Sequence, residues 1–212
     1  VGKRGPKPAL SLTGIADAGI AVADAEGLAA VSMQRVAAEL GYTKMSLYRY
    51  LPGKAELVAL MLEQAIGEPP ELTSQGWRAG LEQWSRKLLE RYVAHPWAIE
   101  ATVGQRPLGP YEMSWMEVAL SRLEGLPLKG SERLDTIATL AGHGRMLAQQ
   151  AASMVGEAEM TQAIAAMLRE HGERFPHLMA AMGEAGQGAG QAFEFGLARI
   201  LDGLEALVSR RS

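Results

Sequence analysis

The chain has 212 residues, 48% of them hydrophobic, and its 21 Lys/Arg against 24 Asp/Glu leave a net charge of -3. It contains no cysteine, which excludes disulfides, thiolate metal centres and a cysteine nucleophile. No apolar run nears the ~20 residues needed to cross a bilayer. Ala, Leu, Met and Glu abound while β-branched and aromatic residues are sparse, so the composition predicts an all-α fold. Charge is unevenly spread: residues 1–60 hold seven Lys/Arg and five Asp/Glu, and residues 61–212 hold fourteen against nineteen. That division suits a small basic module on an acidic body. The first residues lack the apolar centre of a signal peptide, so the expected location is cytoplasmic, with no membrane partner.

Residues 1–10 place Lys3, Arg4 and Lys7 among Gly and Pro and form an expected flexible basic arm. Their Arg-Gly-Pro-Lys run is either half of an AT-hook entering a minor groove or a solvated leader. Residues 11–57 read as a three-helix helix-turn-helix domain. A helix over 11–26 turns Ile15, Ala18, Gly19 and Val22 inward and stops at Gly27. A second, over 33–40, has Ser32 as its N-cap and Gly41 as its stop. A third begins after Thr43 and runs to Leu51, because the residue before Pro52 is pushed out of the helical region. Val36, Ala37, Leu40, Leu47 and Leu51 face inward, which leaves Lys44, Met45, Ser46, Tyr48 and Arg49 outside. A cation, a hydroxyl, a phenol and a guanidinium on one short helix suit a DNA major groove. Arg49 is the expected guanine reader, its alternative being a solvated surface arginine. A fourth helix starts at Pro52-Gly53-Lys54 and reaches Ile66, with Lys54 in its first turn positioned to meet a phosphate.

Residues 58–212 read as a larger helical domain. A loop over 67–76 precedes a helix over 77–94, in which Trp77, Leu81, Trp84, Leu88 and Tyr92 recur at helical spacing. His95-Pro96-Trp97 breaks it, a short helical piece follows, and 107–110 break the chain again. Helices are expected over 111–124, 131–155, 160–170 and 174–182, with a glycine-rich loop over 183–190. Gly142 and Gly144 flank His143 inside the long helix, where each glycine costs ~1 kcal/mol relative to alanine, so a helix or a ligand should approach closely. The last helix, 191–209, spaces Phe193, Leu197, Ile200, Leu204 and Leu207 by four, three, four and three, and Leu201 and Val208 widen the face. That pattern fits half of a four-helix bundle, or equally a terminal helix packed on its own domain. Met61, Trp84, Trp97, Trp115, His143, Met146 and Gln149 are large, soft or polar groups around the second core and are the candidate pocket lining, with ordinary core packing as the alternative. Such walls suit a hydrophobic, multi-ring molecule. His95, His143, His171 and His177 are not at metal-ligand spacing, and no phosphate loop, zinc-protease motif or nucleophile elbow occurs, so no metal, cofactor or catalytic set is expected.

The run Val-Ala-Ala-Glu-Leu-Gly-Tyr-Thr-Lys-Met-Ser-Leu-Tyr-Arg-Tyr-Leu-Pro-Gly-Lys from Val36 to Lys54, followed by Glu56 and Leu57, closely resembles the DNA-binding signature of the TetR family of bacterial repressors. More loosely, His95-Pro96-Trp97, the 107–110 break and the closing helix resemble its tetracycline-repressor type of regulatory domain. The resemblance implies an all-α homodimer: an N-terminal helix-turn-helix domain followed by a larger helical ligand-binding and dimerisation domain. A small hydrophobic effector would spread the two recognition helices and release a palindromic double-stranded operator. It assigns base-reading positions to Lys44, Met45, Ser46 and Arg49, and backbone-contacting or supporting ones to Thr43, Tyr48, Tyr50 and Lys54. Gln34 stands where the family often has an arginine that reaches a base, and glutamine favours adenine. Gly53 stands where a capping Asn, Ser or Asp is common. A ligand-responsive repressor is therefore the expected function. The alternatives are a helical enzyme or a ligand-free DNA-binding architectural protein that retains the helix-turn-helix fold.

Overall fold

The computed structural model describes residues 10–103, 108–152, 157–184 and 191–212, and every regular element among them is helical. The basic arm, apart from Leu10, and most of the glycine-rich loop lie outside the described residues. The fold opens with α1 (Leu12–Glu26), α2 (Met33–Glu39) and α3 (Lys44–Leu47). The hydroxyls of Ser11 and Ser32 accept the Gly14 and Arg35 amide N–H groups at 3.1 Å; Ser32 is the N-cap that the sequence predicts, and Ser11, expected as the first helical residue, caps α1 instead. Gly41 (φ 70°) turns the chain between α2 and α3 in a backbone conformation that favours glycine. Ile15, Val22, Val36, Ala37 and Leu47 close over a small core. α3 is shorter than the expected 44–51: after Leu47 the chain continues as a turn, with the Tyr50 and Leu51 N–H groups both donating to Leu47 O. With Leu51 fixed before Pro52 there is no room for a further helical turn.

α4 (Lys54–Ile66) leaves this core and enters the second one, packing on α1, α6 and α7. Its Met61 is fully buried against Gly19 of α1, where a Cβ would press on the Met61 side chain. Met61 therefore belongs to the α1–α4 contact. In the second core α5 (Trp77–Ala94) is central, flanked by α7 (Pro110–Arg122) and α8 (Gly130–Ala152), with α6 (Trp97–Ala101) wedged towards α4. α9 (Glu157–His171) and α10 (Pro176–Glu184) follow, and α11 (Ala192–Ser209) closes the chain on α8 and α5. α9 begins earlier and α10 later than expected, Pro176 taking the first helical position that suits a residue without an N–H. α9 and α10 leave Met160, Ile164, Met167, Leu178, Met179 and Met182 exposed.

Three tethers fix the outer elements. Arg78 of α5 reaches Asp202 (2.6 Å) and Glu205 (2.9 Å) of α11, and Arg86 reaches Glu194 (2.8 Å). Arg211, beyond α11, donates to Glu132 in the first turn of α8 at 2.7 Å, and the Lys129 N–H donates to the same carboxylate at 2.8 Å. Asp24 at the end of α1 accepts from His95 Nδ1 (2.9 Å) and from Trp97 Nε1 (2.6 Å), which ties the first domain to the α5–α6 corner. Trp97, a candidate pocket residue from the sequence, is 3% exposed and spends its only polar group on this tie.

Asp24→Ala strands the Trp97 N–H and should lower unfolding free energy by about 1–3 kcal/mol in urea titrations, while Asp24→Asn, whose amide oxygen still accepts, should lose less. A loss for Asn equal to that for Ala would rule out this hydrogen bond as the cause. The Arg211 side chain and the Lys129 amide hold Glu132 down at about 2 from the usual 4.5. A carboxylate depressed in the folded state stabilises fully above its unfolded pKa and loses that contribution as pH falls through the folded one. The wild-type stability curve should therefore fall between about pH 4.5 and 2 more steeply than that of Glu132→Gln; parallel acid limbs would remove Glu132 from the acid response.

Candidate functional site

Two sites emerge, one at each end of α4. At the first, α2 and α3 meet across Gly41, and Leu47 anchors α3 in the core with no exposure. A helix held by a single buried leucine presents its remaining residues outward. Lys44, Met45, Tyr48, Arg49 and Tyr50 are exposed, as are Gln34 on α2 and Lys54 on α4. Thr43 makes no side-chain bond to the helix backbone; its hydroxyl lies 3.2 Å from that of Ser46, so the two hydroxyls sit side by side on the same surface. Among the described residues Lys44, Arg49 and Lys54 form no ion pair, whereas Arg35 one helix earlier is neutralised by Glu26 and Glu39, both at 2.7 Å. Both carboxylates raise the Arg35 pKa. Arg35 is thus a brace between α1 and α2, while Lys44 on α3, Arg49 just after it and Lys54 at the start of α4 meet no carboxylate among the described residues. Gly53 precedes α4 in extended backbone without a side-chain cap, which leaves the first N–H groups of that helix open beside Lys54. Of the nine sequence-predicted DNA-facing residues, eight are exposed and Ser46 is half-buried.

The second site is a cavity of about 130 Å³ between α4, α5, α7 and α8. Ile66 closes it from α4, Trp84, Leu88 and Tyr92 from α5, Glu112, Trp115 and Met116 from α7, and Ile137 and Ala141 from α8, with Leu108 at its edge. The two tryptophans form an edge-on pair with ring centroids 6.1 Å apart. Their N–H groups are already spent: Trp84 Nε1 donates to Trp115 O and Trp115 Nε1 donates to Gly67 O, each at 2.9 Å. The pair therefore offers a guest ring faces and edges, and the polar side chains of the lining are Glu112 and Tyr92.

Of the seven residues singled out from sequence, Trp84 and Trp115 line this cavity. Met61 lies at the α1–α4 contact. His143 stacks on Phe193 of α11 at 5.4 Å and its Nε2–H donates to Phe193 O at 2.9 Å, in space left by Gly196. The close approach expected at Gly142 and Gly144 is absent, a Cβ at Gly142 meeting nothing within 4 Å and one at Gly144 only Phe193 at 4.0 Å; the glycine that makes room is Gly196, on α11, under the His143 ring. Met146 is 48% exposed on α8. Trp97 and Gln149 border a different, polar cleft of about 370 Å³ between α1, α6 and α8, which Asp24 and Glu100 also line. Sequence reasoning missed Ile66, Leu88, Tyr92, Leu108, Glu112, Met116, Ile137 and Ala141. For Leu88 and Tyr92 the signal was present, since they continue the Trp84 face of α5 at intervals of four. A third concavity runs along α8 and α11, where Thr136 and Thr139 face Ile200, Gly203 and Leu207.

No group of His, Asp or Glu among the described residues is arranged to hold a metal ion, and no described helix is long and apolar enough to cross a membrane. Residues 15–61 match the model of bacterial regulatory proteins of the tetR family, and residues 69–208 match that of the tetracyclin repressor-like C-terminal domain. The HTH-type transcriptional repressor DrrR1 of Streptomyces coeruleorubidus is 40% identical over 222 residues, covering 98% of this chain and 82% of DrrR1. An HTH-type transcriptional regulator of Saccharopolyspora erythraea is 27% identical over 177 residues, covering 81% of this chain and 75% of that protein. Apo ActR from Streptomyces coelicolor superposes with a TM-score of 0.82 at 26% identity, covering 98% of this chain and 100% of ActR. ActR in complex with actinorhodin superposes with a TM-score of 0.81 at 26% identity, covering 96% and 99%. With its helix-turn-helix half and its helical C-terminal half matched in order, the chain belongs to the TetR family of bacterial regulatory proteins.

Proposed function

We propose that this chain is a transcriptional repressor that binds a palindromic operator as a homodimer and lets go when a small hydrophobic, multi-ring molecule enters the α4–α5–α7–α8 cavity. The observation that carries the reading is the pairing of charges: the helix-turn-helix cation that the fold needs, Arg35, is neutralised, while Lys44, Arg49 and Lys54 are left on one surface. Lys44, Met45, Ser46, Arg49 and Gln34 read base edges, and Thr43, Tyr48, Tyr50 and Lys54 hold the phosphate backbone and set register. One copy offers too few base contacts for tight binding, so two copies read half-sites ~34 Å apart. The α8–α11 concavity, with Leu134 and Phe195 exposed beside it, supplies the surface on which two copies form a four-helix bundle.

Cavity size gives the release a physical basis. About 130 Å³ is close to the ~150 Å³ that accommodates one benzene ring, so a multi-ring guest would extend out of the cavity mouth or press on its walls. Ile66 of α4 is one of those walls, and α4 carries Lys54 at its other end. A guest that pushes Ile66 therefore disturbs the DNA-facing surface, and by linkage the operator weakens the guest equally. The similarity to DrrR1, a transcriptional repressor, and to ActR, solved in complex with actinorhodin, supports both halves of the reading.

Duplexes selected from a random library on the full chain should include an inverted repeat whose affinity falls with salt at a log–log slope of about -0.9 per phosphate neutralised. Arg49→Ala should lose about 1–3 kcal/mol on that duplex, with the sedimenting dimer unchanged. Equal affinity of the two proteins would move the base-reading surface elsewhere. Actinorhodin is the first effector probe: it should release the wild-type protein and fail to release Trp115→Ala, and release of both would displace the effector from this cavity.

A further inference from the structure

The first turn of α7 is capped by a residue of α4. Helix starts leave free N–H groups that a side chain at the N-cap normally accepts, and the N-cap of α7, Gly109, has no side chain to do so. The acceptor comes from elsewhere: a carboxylate oxygen of Glu63, on α4, takes the N–H of Tyr111 at the second position of α7. Glycine at 109 is what admits it, since a Cβ there would overlap the Glu63 carboxyl group. Glu112, three residues into α7, reaches back to the Gly109 N–H at 3.2 Å, so it completes the turn without replacing Glu63. A negative charge here also meets the positive end of a 13-residue helix. The second oxygen of Glu63 is buried and accepts no hydrogen bond among the described residues. A buried acceptor left unmet disfavours the arrangement that holds it, which suits a contact made in one functional state and altered in another.

We infer that Glu63 is a positioning residue that ties the wall of the effector cavity to the DNA-facing end of the chain by capping α7 from α4. The inference rests on the reading of the chain as an effector-responsive repressor. Glu63 lies one turn before Ile66, which itself closes the cavity, and nine residues after Lys54, ~14 Å along a continuous helix. The turn that it caps leads directly into Glu112, Trp115 and Met116, the α7 side of the same cavity. A shift of α4 as Lys54 engages a phosphate is thereby carried to α7, and a shift of α7 as the cavity fills is carried back to α4. Direct contact through Ile66 senses only bulk at the cavity, whereas the Glu63 cap moves α4 and α7 as one body.

The test is the full-length Glu63→Ala/Gly109→Asn double variant. It cuts the tie to α4 and gives α7 a side-chain cap of its own in the space that the glutamate vacates, so α7 remains a helix. Hydrogen exchange over residues 111–116 is followed by mass spectrometry with and without the selected duplex. In the wild type, duplex should change exchange in that segment by about fivefold or more, the low end of ordinary coupling between sites. The double variant should still bind the duplex, within about fivefold of the wild-type affinity, and lose that change. An α7 that responds to duplex equally in both proteins overturns the inference, as does a wild-type α7 that ignores a bound duplex. Glu63→Ala alone, with α7 uncapped, should show faster exchange over 111–116 even without DNA; unchanged exchange would deny the cap. A wild-type chain that captures no duplex fails earlier, in the binding signal itself, and takes the parent reading with it.

Discussion

α4 is buried in two cores at once, and the rest of the molecule depends on that constraint. Leu57 and Met61 are fully buried, with Met61 pressed against Gly19 of α1, while Ile66 closes a cavity formed with α5, α7 and α8. A 13-residue helix is ~20 Å long and bends little, so its two ends cannot move independently. The buried apolar cluster runs unbroken from Ile15 in α1 to Leu204 in α11, with α4 in the middle of it. The two functional surfaces can therefore be separate in space and still share one mechanical element.

Electrostatics divides the remaining labour. The arginines that hold the fold together are each matched: Arg35 by Glu26 and Glu39, Arg78 by Asp202 and Glu205, Arg86 by Glu194, and Arg211 by Glu132. Partial exposure limits what any one of these pairs adds to stability. Their more certain effect is geometric, since a guanidinium pinned by a carboxylate is withdrawn from outside partners. Lys44, Arg49 and Lys54, exposed and without a carboxylate partner among the described residues, gather at α3 and the start of α4.

Residue by residue, local features were legible and distant ones were not. The cap at Ser32, the Gly41 turn and the helical spacing of Trp77, Leu81, Trp84, Leu88 and Tyr92 follow from neighbours in the chain, and the helices they define stand where the sequence places them. The last turn of α3 and the ends of α9 and α10 shifted because helix ends are decided by weak terminal bonds. Candidate pocket residues fared unevenly because size and softness do not tell a side chain which helix it will meet. His143 looked like a ligand contact on account of its flanking glycines, and it is a stacking partner for Phe193. Trp97 looked like a pocket wall, and it is a hydrogen-bond donor to a residue 73 positions earlier.

By itself the sequence determined the helical class, the helix-turn-helix surface and the split between a basic module and an acidic body, because these rest on spacing within a few residues and on summed charge. Only the tertiary structure decided which residues of α4, α5, α7 and α8 enclose a cavity, that Asp24 binds the α5–α6 corner, and that Glu63 supplies the cap that Gly109 lacks. The Asp24 and Glu63 contacts join residues 46 to 73 positions apart, and no local pattern records which helix faces of a long chain will be brought together.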